Sequence, residues 1–179
     1  MNWDVLGAVA ELVGAGAVVV SLLYLARQMR EATTQAKVTN MHNLLSYFAE
    51  VTGPITTDPG VTDVYHRATA GGLRALGEDD RIRFIYLATL ILRGFEDGYV
   101  TKAHGALPEW YDSTAEPVLG DLLAMPGFRD FWDLRRGMFS NDFRTLVDGM
   151  RSGQHSKVFY ELPQTDEDTE QSNVPRAAT

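Results

Sequence analysis

Apolar positions are spread unevenly along this chain. From Val5 to Ala26 they run almost without interruption, VLGAVAELVGAGAVVVSLLYLA, with Glu11 as the one charge. As a helix rising ~1.5 Å per residue this run would measure ~33 Å, enough to cross a hydrocarbon core of ~30 Å. Its flanks agree. Trp3 and Asp4 precede it, Tyr24 lies near its far end, and Arg27 and Arg30 follow. Aromatic rings with a polar edge favour the headgroup level, and arginines anchor where hydrocarbon stops. The pattern predicts a transmembrane helix with Trp3, Tyr24, Arg27 and Arg30 as interface anchors. A signal peptide would need a basic leading region and a small-residue cleavage site, and neither is evident. A buried helix of a soluble protein is the competing reading of a run this rich in Gly and Ala, and length and flanks favour the span.

Helical residues turn by about 100° each, so Gly7, Gly14, Ala15, Val18 and Leu22 fall on the side of Glu11, with Ser21 near its edge. Val9, Val13, Val20 and Leu23 take the opposite side. Small residues allow close backbone approach in lipid, and a carboxylate at that depth costs roughly 2.5 kcal/mol or more unless it faces protein or water. Gly7, Glu11, Gly14, Val18, Ser21 and Leu22 are therefore the expected oligomer-facing or pore-facing positions. A single span has no second helix of its own to offer, so the stripe predicts a homo-oligomer or a membrane-protein partner.

After the span the pattern turns helical and amphipathic. No Pro or Gly occurs between Ala26 and Gly53, so one helix is expected to leave the membrane and continue to Gly53-Pro54. Its middle is polar nearly all round; Met41, Leu44, Leu45, Phe48 and Val51 give its end an apolar face. Asp58-Pro59 reads as a helix start, with Asp capping and Pro at the first position, and Gly71-Gly72 as its stop. Acids at Glu78-Asp79-Asp80 suit a helix N-terminus. There Ile82, Ile85, Tyr86, Thr89, Leu90, Leu92 and Phe95 form a wide apolar face ending near Ala103. A helix from Pro108 to Met125, bent at Pro117, is expected to turn Trp110, Val118, Leu119, Leu122 and Leu123 inward. A short aromatic helix carries Phe128, Phe131, Trp132 and Met138. Ser140-Asn141-Asp142 caps a last one with Phe143, Leu146, Val147 and Met150. No convincing strand pattern stands beside these. The predicted class is all-α: one N-terminal transmembrane helix (1–30), a helical spacer (31–53), a helical cytoplasmic domain (54–152) and a disordered acidic tail (153–179).

Charge sharpens this picture. The 179 residues carry a net charge of −8 and no cysteine. An acidic chain without clustered Lys and Arg is a poor nucleic-acid binder, so no such partner is expected. Without cysteine there is no disulfide, thiolate nucleophile or Cys-ligated zinc. Arg27, Arg30 and Lys37 follow the span and only Asp4 precedes it. By the positive-inside tendency this predicts an inner-membrane protein with its N-terminus outside and its C-terminal domain in the cytoplasm.

Several segments carry a resemblance. Trp-Asp at the start, the acid within the span, SLLYLARQMR and ATTQAK, then RGFEDGYV (93–100), Pro126-Gly127 followed by Trp132, and FSNDFRTLVDGM (139–150) resemble a broad group of uncharacterised bacterial membrane-anchored proteins. The resemblance spans roughly residues 3–150 and implies one N-terminal span with a helical cytoplasmic domain. It brings no activity and no catalytic residues.

Candidate chemistry is sparse. His42, His66, His104 and His155 fall on separate segments, and HExxH, P-loop, GxSxG and GxGxxG patterns are missing. Glu96, Asp97 and His104 on one helix, approached by Glu50 or His66, would be a carboxylate-imidazole metal site of bundle type. The structural alternative pairs Glu96 and Asp97 with Arg93 or Lys102 at helical spacing and is favoured. Gly94 and Gly98 would admit a closely packed helix, and Trp110 and Trp132 belong to core or interface. No catalytic residue, metal or cofactor is expected. Three classes remain: an oligomer that conducts ions or senses, a membrane-tethered scaffold or accessory subunit, and a small metal-dependent helical enzyme. Pore formation leads as a mechanism, with the scaffold close behind.

Overall fold

The chain was described from a computed structural model covering residues 3–152, with side chains described for 11–151. Trp3 and Gly7 therefore enter only as backbone, and the expected acidic tail and His155 lie outside the described residues. Six α-helices account for nearly all of the described chain: α1 (Trp3–Thr57), α2 (Pro59–Gly71), α3 (Glu78–Ala103), α4 (Tyr111–Ala124), α5 (Pro126–Arg135) and α6 (Asn141–Ser152). Two 3-10 turns, Leu73–Ala75 and Arg136–Met138, join them, and no strand occurs among the described residues.

Helix α1 is one uninterrupted rod of 55 residues, or about 82 Å at 1.5 Å per residue. It is long and apolar enough in its first part to cross a membrane. Every residue from Glu11 to Ala36 is exposed, whereas Leu44 is buried and Phe48, Val51 and Ile55 pack on the core. The expected stop at Gly53-Pro54 is not where α1 ends. A proline inside a helix lacks the N–H that would bond four residues back, and that acceptor belongs to Glu50, an exposed residue. Beyond it, Asp58 N donates to Pro54 O at 3.0 Å, and the Thr62 hydroxyl donates to Ile55 O. Helix α2 then starts as the sequence indicates: the Asp58 carboxylate accepts from the N–H groups of Gly60 and Val61, with Pro59 at the first position. It ends at Gly72, whose φ of 75° suits glycine.

The core gathers Val64, Ala68, Phe84, Ala88, Ile91, Leu92, Phe95, Leu119, Leu123, Phe128, Phe131, Trp132, Phe143 and Val147. Helix α3 crosses its centre with Phe84, Ala88, Ile91, Leu92 and Phe95 turned in. Ile82, Tyr86 and Leu90, expected inside, are exposed. Apolar residues surround α3 on more than one side, and Phe84, not Ile82 or Tyr86, sets the buried face by stacking edge-on against Phe128. Trp110 and Val118, expected inward, stand at the surface, and Met138, expected on the short aromatic helix, lies in the 3-10 turn after α5.

Long-range polar contacts lock the helix ends. The Asp130 carboxylate accepts from Leu73 N at 2.9 Å, and Arg81 donates to Leu73 O and Leu76 O. The Trp132 indole donates to Asp148 at 2.9 Å, and Arg136 pairs with the same carboxylate. At the α5 start Gly127 lies so close to Ala68 O that a Cβ would collide with it.

Candidate functional sites

Two places combine exposure with organised chemistry: the free half of α1 and an apolar groove where α1 and α4 face one another.

On the free half, Glu11, Gly14, Val18, Ser21 and Leu22 are all exposed, and nothing lies within 4 Å of where a Gly14 Cβ would stand. The face is open, as a helix-packing stripe requires. Ser21 contributes less than its type suggests, since its hydroxyl donates to Ala17 O of the same helix at 2.8 Å. Thr33 and Thr34 bond back to Met29 O and Arg30 O likewise. Among the expected interface anchors, Tyr24 accepts from Gln28 at 2.9 Å, and Arg27 pairs with Glu31 at 3.1 Å.

Followed down α1 at about 100° per residue, the Glu11 direction returns within about 20° at Asn40 and Tyr47. Those two side chains fasten α1 to the domain: Asn40 donates to Ala106 O at 3.1 Å and Tyr47 to Leu90 O at 2.8 Å. The stripe and the domain thus occupy one side of the same rod.

Opposite α1 at this level, α3 presents Gly94 and Gly98. A Cβ on Gly94 would meet the Tyr47 and Phe48 rings, and one on Gly98 would meet the Tyr111 hydroxyl and Leu44. The glycines of RGFEDGYV are therefore where α1 and Tyr111 press on α3, the close packing that the spacing of the two glycines suggested. Burial, then the neighbouring Asp112 and Asp97, push the Tyr111 phenol up to about 12.

The groove lies beside this junction. It encloses about 370 Å³, within the roughly 300–1,000 Å³ range of ligand sites. Met41, Leu45, Phe48 and Ile55 form one wall, and Trp110, Val118 and Leu122 the other. Leu45 and Trp110 are about half exposed, at 55% and 52%, so the groove opens to solvent at these two walls. Sequence periodicity marked these residues as apolar without distinguishing a core from a cleft.

The suggested metal cluster does not assemble. Burial works against ionisation of Glu96, but the backbone N–H and hydroxyl of Ser140, then Arg93, hold its carboxylate below the ordinary range. Ser140 N donates to it at 2.7 Å. Arg93 also donates to Met138 O at 2.6 Å and lies over the Phe139 ring. Glu96 and Arg93 thus clamp the entry to α6. Lys102 reaches Glu109 and Asp112, not Asp97, and His104 Nδ1 bonds to Val100 O at 2.8 Å. No group of three potential ligands stands together among the described residues.

No family model, no curated protein and no solved structure matches the chain.

Proposed function

We propose that this chain is a single-pass protein of the cytoplasmic membrane that self-associates through its span and holds a helical adaptor domain at the cytoplasmic face. One observation carries the reading: α1 is bare from Glu11 to Ala36 and becomes a wall of the domain beyond it without a break. A bare apolar helix fused rigidly to a packed domain suits a tether with a built-in orientation. Arg27, Arg30 and Lys37 after the span, against Asp4 before it, orient the domain inward. In this reading Glu11 joins spans by hydrogen bonding beside Gly7 and Gly14.

A second reading, an ion-conducting or sensing oligomer, draws on the same carboxylate. Copies of Glu11 around a wet axis would form an acidic ring of the kind that selects cations. Glu11→Gln keeps size and hydrogen bonding and removes charge; Glu11→Ala removes both. With the complex mass measured in nanodiscs, the adaptor reading expects Gln to assemble and Ala to weaken each helix contact by roughly 1 kcal/mol. Intact assembly of Glu11→Ala sinks it. A cation current through the wild type in planar bilayers, with its selectivity lost in Glu11→Gln, would replace it with the pore.

A further inference from the structure

The exposed half of α1 carries a second period that the polarity of its middle conceals. Between Arg27 and Lys37 the apolar residues are Met29, Ala32 and Ala36. They follow one another by three and then four positions, the a and d spacing of a heptad. The same rhythm runs back through Leu25 and Leu22 to Val18, across the change from apolar run to polar spacer and along one unbroken helix. All six side chains are exposed. At about 100° per residue Met29 returns to the Glu11 direction, so the row continues the face on which the spans are proposed to meet. The charges avoid this row. Arg27, Arg30, Glu31 and Lys37 fall at b, c and f positions on the outer side, where Arg27 and Glu31 pair with each other at 3.1 Å. The flanking e and g positions hold Thr33, Gln28 and Gln35, none of them charged. Below Ala36 the row turns polar: Thr39 and Asn43 take its next places, at the level where Asn40 fastens α1 to Ala106 O.

We propose that α1 pairs with α1 of a second copy as a parallel, in-register coiled coil that begins in the span and runs on through the spacer to Ala36. A period of 3.5 residues gives such a pair a left-handed twist. Charge chooses the occupant. Residues at e and g set partner choice in coiled coils: opposite charges specify a particular partner, and like charges keep identical chains apart. Here those places are neutral, so identical chains meet without repulsion and no oppositely charged partner is called for. Height agrees with charge. Copies held by the same span leave the bilayer in one direction and at one level, so Met29 meets Met29 and Ala36 meets Ala36. From Val18 to Ala36 the coil is about 27 Å long. Its lower part lies in water, where covering Met29, Ala32 and Ala36 adds a hydrophobic drive that helix contacts in lipid lack. This inference rests on the proposed self-association and carries that contact beyond the bilayer.

The chain has no cysteine, so single introduced cysteines report contacts between copies without background. The test uses the full chain in phosphatidylcholine nanodiscs under mild oxidation, with the mass of each complex measured alongside. Leu22→Cys, Met29→Cys and Ala36→Cys probe the row, and Glu31→Cys and Thr34→Cys probe the outer side. A disulfide needs Cα atoms within about 7 Å, so the three row variants should link two copies about fivefold or more above the outer pair. Ala32→Glu, which sets like charges against each other in the row, should weaken association about tenfold. Thr34→Glu should leave it unchanged. An oligomer that links through Leu22→Cys but not through Met29→Cys or Ala36→Cys overturns the coil and leaves the contact between spans standing. Outer-side links as strong as those of the row, or unchanged association of Ala32→Glu, also overturn the coil. A wild type of monomeric mass overturns it together with the self-association on which it rests.

Discussion

Residues 11–36 and 37–57 belong to one helix, yet only the second half sends polar side chains to other elements. In the first half they turn back on α1 itself: Ser21, Thr33 and Thr34 donate to carbonyls one turn earlier, and Arg27 meets Glu31. In the second half Thr52, Thr56 and Thr57 still turn back on the helix, but Asn40 reaches across to Ala106 O and Tyr47 to Leu90 O. A helix that satisfies its polar groups internally presents an apolar exterior at little desolvation cost, which suits lipid or another span. One that sends them outward fixes its azimuth against a neighbour. The same secondary structure thus forms an exposed rod and a weld, and among its hydrogen bonds the difference lies in Asn40 and Tyr47, whose side chains reach other elements.

If the two halves are as separate as this suggests, damage to the domain should leave the rod untouched. Trp132→Ala is the most severe test. The ring is fully buried and its indole donates to Asp148, so the loss should be roughly 3–5 kcal/mol of domain stability. Membrane fractionation should not change; a mutant released from the membrane would show that the halves depend on each other.

Glu96 sharpens the comparison from inside the weld. Glu96→Gln removes a charge that accepts from Ser140 and pairs with Arg93 and should cost about 2 kcal/mol, the scale of hydrogen bonds to charged groups. Its carboxyl is held below the ordinary carboxylate range in the fold. The stability it lends is therefore present at neutral pH and lost as pH falls below the unfolded carboxylate range towards the lowered folded value. Acid melts of wild type and Glu96→Gln should converge there. Parallel curves would remove Glu96 from the acid sensitivity.

The smallest effect belongs to the rod. Ser21→Ala removes a hydroxyl already donated within α1. Oligomer mass and domain melt should both stay within error, a change of less than about 0.5 kcal/mol. A dissociated oligomer would mean that Ser21 exchanges its internal bond for one between spans.

Local signals carried much of this architecture. Asp58-Pro59, Gly71-Gly72 and the acids at 78–80 mark helix ends because caps and breakers act within a turn. Gly94 and Gly98 announced a close approach because only glycine leaves that space. The periodic signal failed where a helix is apolar on several sides: nothing local distinguishes Phe84 from Ile82 or Tyr86 until α5 supplies Phe128. Pro54 misled for a related reason, since the tertiary packing of Val51 and Ile55 outweighs the single bond it removes. The groove was hidden altogether. Met41, Leu45, Trp110 and Val118 read as core, and only the gap left between α1 and α4 makes them a cleft.

The unbroken passage of α1 through residues 26–40 makes the molecule an axle. If α1 spans a membrane as proposed, a turn of the span about its long axis swings the groove with it, because the helix is continuous between them. At about 100° per residue Glu11, Asn40 and Tyr47 share a direction, so in the proposed oligomer spans meeting at Glu11 would bring their domains beneath the meeting point. Each added residue in the spacer would turn the groove by about 100° and lower it by ~1.5 Å. The polar stretch between Glu31 and Asn40 therefore sets a bearing as well as a distance: its length decides which way the domain looks.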